Sequence, residues 1–147
     1  MRMDSFSTFD LVKLFKISRS NIQQYIDRGL IVPSIQKSSG KGMKNIFSKQ
    51  DLYEFQLFMQ LAAFGVQPKY AAAIVQGIEF GGVSGGEEAW LLALTDSDGG
   101  IVTFTSTLNA VKDYILRTKN TFFFIADLSG VVREVEGRLK NLSAGSY

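Results

Sequence analysis

Between Arg19 and Asp27 the chain runs Ser20, Asn21, Ile22, Gln23, Gln24, Tyr25, Ile26, a stretch rich in hydrogen-bonding side chains and without a formal charge. Around it the charges are lopsided. Residues 28–50 carry Arg28, Lys37, Lys41, Lys44 and Lys49 with no acid among them, and residues 11–26 add Lys13, Lys16 and Arg19, again with no acid. Residues 1–80 hold ten Lys/Arg against six Asp/Glu, whereas residues 81–147 hold six against eight. Basic residues gathered on one half of a chain suit a polyanion partner. The same lysines also suit an ordinary solvated surface, and charge alone leaves both readings open.

Other chemistry is narrowed by what the composition lacks. Cysteine is absent, which removes disulfides, thiolate metal sites and thiol-based sensing. Histidine is absent too, and with it the usual general base, proton switch and transition-metal ligand. Glu87–Glu88 and the pair Asp96 and Asp98 lie at the ends of a presumed hairpin strand, where solubilising carboxylates fit better than catalytic ones. "DSDGG" at 96–100 hints at a calcium loop, but the fifth and twelfth positions of such a loop fall on Gly100 and Thr107, so a hairpin turn is the better reading. "GGVSGG" at 81–86 follows a presumed helix and precedes a presumed strand, the reverse of a phosphate-binding loop, so it reads as a linker. Trp90, Phe104, Phe122 and Phe124 could line a ligand pocket, and core packing accounts for them equally. No enzyme activity, cofactor or metal is expected.

The elements that must position these residues read as follows. "FSTFDLVKLFKI" offers Phe9, Leu11, Val12, Leu14 and Phe15 to one face of a short helix, with Ser7 or Thr8 as its cap. Ser18 caps a second helix with Ile22, Tyr25 and Ile26 inward, and Gly29 ends it, giving the geometry of a helix-turn-helix. "LIVPSIQ", a glycine- and lysine-rich loop and "IF" make a small β-hairpin, a wing. "FSKQDLYEFQLFMQLAAFG" is a helix capped by Ser48, with Leu52, Phe55, Phe58 or Met59, and Ala62 inward, and Pro68 opens another. Beyond the glycines, "AWLLALT" and "IVTFTS" form a hairpin and "STLNAVKDYILRT" a helix. "TFFFIADL", apolar on both faces, is expected as a central strand, and "SGVVREVEGRLKNL" as the last helix. The fold class is α+β, with a winged helix-turn-helix over residues 1–80, a linker at 81–86 and a small ββαβα domain at 87–147 for dimerisation or regulation.

This order resembles the winged helix-turn-helix head of the MerR family of bacterial transcription regulators over residues 6–78. The matching pieces are "STFDLVKLFKIS", "IQQYIDRGLIVPS" with its Gly-Leu-x-x-Pro turn, and "SGKGMKNIFSKQDLYEFQLFMQLAAFGV", where an apolar-aromatic pair and Ser follow a basic wing. The resemblance implies a homodimer on double-stranded DNA, recognition helix in the major groove and wing along the phosphates. Carried over, Arg19, Ser20, Asn21, Gln23 and Gln24 face the groove, and Lys37, Lys41, Lys44 and Asn45 lie on the wing near phosphate.

The chain departs from the family where Ser20 and Gln23 replace arginines, Gln24 an aromatic, and Ile26-Asp27 an acid-arginine pair. Gln and Asn can still read adenine through paired hydrogen bonds, and phosphate affinity then falls to the wing lysines and Arg19. The glycines at 81–86 stand where the family places its long dimerisation helix, so dimer contacts, an effector or a protein partner are expected at residues 87–147. No stretch reaches the roughly 20 apolar residues of a membrane span, and "MRMDSFSTFD" has no apolar run of the kind a signal peptide needs, so a cytoplasmic protein is expected. The expected function is a sequence-specific transcription regulator. The alternative is a protein-protein adaptor on the same head, of the kind that modulates chaperones or serves phages.

Overall fold

The structure, a computed structural model, describes residues 4–40 and 42–143. Its first helix, α1 (Thr8–Phe15), starts at a reciprocal cap: Ser7 Oγ accepts from the Asp10 N–H at 3.2 Å, and the Asp10 carboxylate accepts from the Ser7 N–H at 2.9 Å. Ser18 caps α2 (Arg19–Asp27) by accepting from the Asn21 N–H. Gly29 takes φ 71°, which lets the Leu30 N–H turn back to the Tyr25 carbonyl at 2.8 Å and seats Leu30 beside buried Ile22 and Ile26.

The wing is less of a hairpin than the sequence suggests. Strand β1 (Phe6–Ser7) pairs antiparallel with β2 (Ile46–Phe47), and the expected strand over "LIVPSIQ" shrinks to one bridge between Gln36 and Ile46. Pro33 has no N–H for a ladder. Ser34 is diverted as well, since its N–H and hydroxyl both donate to Asp51 Oδ2, at 2.8 and 2.7 Å. Asp51 also accepts from Ser48 at the start of α3 (Lys49–Ala63), so one carboxylate caps the helix and anchors the wing.

Helix α3 is the spine. Phe55 meets Phe15 edge-on at 4.7 Å, and Tyr25 packs between Phe55 and Phe58. Leu52, Phe55, Phe58 and Leu61 are all buried, so the stripe ends on Leu61 rather than Ala62. Gly65 at φ 90° closes the helix, and Pro68 opens α4 (Pro68–Val75). The glycine stretch read as a linker contains a single helical turn, α5 (Gly81–Ser84), whose Val83 is buried in the same core as α3.

The second half has the expected ββαβα order: β3 (Trp90–Thr95), β4 (Ile101–Ser106), α6 (Leu108–Arg117), β5 (Phe124–Asp127) and α7 (Leu128–Ser143). The sheet is antiparallel throughout in the order β4-β3-β5. This corrects the reading of "TFFFIADL" as central: β3 holds the centre and β5 an edge. The reason lies in what covers each strand. Leu91 and Ala93 face the main core and Leu92 and Leu94 a second cluster with Val111 of α6, so β3 alone is sandwiched. Helix α7 then sends Val131, Val132 and Val135 into the main core. Polar bonds flank that stripe: Glu136 accepts from Tyr53 at 2.7 Å and pairs with Lys49 at 3.0 Å, while Arg138 donates to the Leu14 carbonyl at 2.8 Å. Burial of the Tyr53 hydroxyl, reinforced by Glu136, pushes its titration well above the usual tyrosine range. Among the described residues no helix is long and apolar enough to cross a membrane.

Candidate nucleic-acid interface

Helix α2 separates its residues cleanly. Ile22 and Ile26 are buried and Tyr25 is half-buried, while Arg19, Ser20, Asn21, Gln23 and Gln24 are all exposed. The neutral face is not unstructured, however. Gln23 Nε2 donates to Asp27 Oδ1 at 2.9 Å, one helical turn on. A carboxylate can only accept, so Asp27 must meet the nitrogen of the amide. Gln23 is exposed, so its Oε1 and second N–H remain available to a base edge. Asp27, which the sequence shows only as an unfavourable charge, is thus the residue that orients Gln23.

A cleft of about 410 Å³ joins this helix to α1 and the wing. Arg19, Gln23, Lys44 and Asn45 line it together, with Ser7, Thr8, Phe9, Val12, Ser38 and Met43. Ser20, Asn21, Gln24 and Lys37 are exposed but are not among its lining residues. Lys41 lies outside the described residues. Asn45 departs from its expected place at the wing surface: it is buried, and its Oδ1 accepts from the Ser38 N–H at 2.8 Å. Its position holds the wing closed instead of facing a phosphate.

Two lining residues escaped the sequence reading. Phe9, expected on the apolar face of α1, is 63% exposed, with Lys13 Nζ 4.4 Å from its ring centre. The signal was available: at about 100° per residue, Phe9 lies on the far side of the helix from Leu11 and close to opposite the buried stripe of Leu11, Leu14 and Phe15. Met43 is exposed in the same cleft, within a loop whose sequence carries no periodicity to read.

The other candidates resolve into structure. Asp96 Oδ1 accepts from the N–H groups of Asp98 and Gly100, at 2.9 and 2.8 Å, as expected of a hairpin turn. Trp90 and Phe104 pack with Leu92, Leu94 and Val111, whereas Phe122 and Phe124 line a cleft beside α4.

No curated protein sequence matches the chain. Residues 6–78 match the profile of the MerR HTH family regulatory proteins, a family of DNA-binding regulators, and the match spans β1 through α4. Through residues 6–78 the chain therefore belongs to the MerR helix-turn-helix family.

Proposed function

We propose that the protein is a sequence-specific transcription regulator that grips duplex DNA as a two-fold dimer, α2 in the major groove and the wing along the backbone. The observation that carries this reading is the cleft that brings Arg19, Gln23 and Lys44 onto one concave surface. Cation, base-reading amide and wing lysine are then presented together, as a helix in a groove flanked by phosphates requires. Arg19, Lys37, Lys41 and Lys44 take phosphates, and Ser20, Asn21, Gln23 and Gln24 face base edges. Phe9 and Met43 supply the apolar contact that a thymine methyl accepts. Asn45 acts indirectly, by keeping the wing folded.

About four phosphate contacts per subunit give a dimer a log–log salt slope of about −7. Titrating the protein onto duplex DNA across a salt series measures that slope. A value near zero contradicts the placement of wing and helix on DNA. The adaptor reading has one observation in its favour, the exposure of Phe9 and Met43 beside a neutral helix face. Weak DNA binding that is alike across sequences is its signature.

A further inference from the structure

A group of exposed apolar side chains lies along the rim where β5 meets the end of α3. Phe64 is 83% exposed, Phe122 74% and Ile125 45%, and Tyr70 is exposed beside them. These side chains belong to one patch: Phe124 lines two open clefts, one of about 850 Å³ shared with Phe64 and Ile125 and one of about 380 Å³ shared with Tyr70 and Phe122. Among the described residues the strand between the clefts pairs only with β3, so its other edge offers unused main-chain donors and acceptors. The opposite edge of the sheet is different. There β4 exposes Thr103 and Thr105 beside a single apolar side chain, Val102.

We infer that β5 is the dimer interface, its free edge adding antiparallel to β5 of a second copy to give one continuous six-stranded sheet. The inference rests on the two-fold reading proposed above and names the surface that reading requires. Three properties select a second copy as the occupant. Antiparallel pairing of one strand with itself is two-fold by construction, so a single patch serves both subunits. The apolar side chains expose on the order of 500 Å², which doubled across an axis reaches the roughly 1,000 Å² that a specific interface needs. The charges beside the strand are mixed, with Asp127 and Glu134 against Lys16, Arg133 and Arg138. A copy related by a two-fold axis brings both signs to meet both signs, whereas a strongly acidic or basic partner finds no opposing field.

The test is sedimentation of the purified chain without DNA, followed by cross-linking. The native protein should sediment at twice its 16.3 kDa chain mass at micromolar concentration. Ile125→Lys with Phe122→Glu should run at single-chain mass with its melt retained, since both residues are exposed. The chain has no cysteine, so Ile125→Cys should join dimers on oxidation, and Val102→Cys on the far edge should not. A monomeric native protein overturns the inference and leaves the patch to a different occupant. Dimers that persist in the charged variant, or that fail to cross-link through position 125, overturn it by placing the interface elsewhere. None of these readouts involves DNA, so a dimer through β5 that ignores duplexes breaks only the functional reading.

Discussion

Helix α2 and strand β5 both turn a face with little charge to solvent, and the chemistry they show is opposite. On α2 the exposed groups are amides and hydroxyls, already arranged by the Gln23–Asp27 hydrogen bond. Such groups rest in water at little cost and can exchange it for the edge of a base. On and around β5 the exposed groups are apolar side chains, Ile125 of the strand with Phe122, Phe64 and Tyr70 beside it, next to an unpaired strand edge that water serves poorly. The first surface suits a partner that comes and goes, and the second one that stays. A regulator that reads DNA as a dimer needs one of each.

Substitutions can pull the two apart. Ile125→Lys with Phe122→Glu should weaken binding to an inverted repeat by about 10²- to 10⁴-fold, the advantage that linking two heads confers, while binding to a single half-site is unchanged; fluorescence anisotropy on the two duplexes measures both. Arg19→Glu with Lys44→Glu should do the reverse, leaving the dimer intact and cutting the salt slope to about half. Arg19 sits in the first turn of α2, where an acid is favoured by the helix dipole, so this change should not cost stability. A smaller effect is expected from Gln23→Ala, a loss of about 1–3 kcal/mol of discrimination at one base pair. Asp27→Ala should blunt the same preference without abolishing it, because Gln23 remains but is no longer oriented.

Glu54→Gln supplies the control that should touch neither surface. Burial raises the Glu54 carboxyl above its ordinary titration, with repulsion from Asp51 and Glu79 adding to it and a hydrogen bond from Gln50 opposing it. The unfolded chain titrates at the ordinary value, so the charged folded form is disfavoured at neutral pH. That cost fades as the pH falls through the raised value. The variant should therefore melt a few degrees higher at pH 7, lose that advantage in acid, and leave DNA binding and mass unchanged.

Much of the head was legible because its signals are local. Ser7, Ser18, Ser48, Gly29 and Gly65 each mark a helix end through the residue's own chemistry, and the structure puts all five to that use. What escaped depends on distant neighbours. Strand β1 is two residues long and exists only because β2, forty residues away, offers an edge. The wing loses a strand because Asp51 claims Ser34 from another element. β5 is as apolar as β3, and only the placement of α6 and the head decides which of them is sandwiched. In the site, residue types announced the lysines and the amides, but Asn45 turning inward to Ser38 and Gln23 turning to Asp27 are facts of geometry.

The central claim is that the neutral face of α2 reads sequence, and selection of random duplex DNA on the purified protein tests it most directly. The account predicts an enriched inverted repeat, bound by a dimer with a salt slope of about −7, its half-sites about one helical turn or a multiple apart. A pool that emerges without enrichment, bound weakly and alike across sequences, would contradict it.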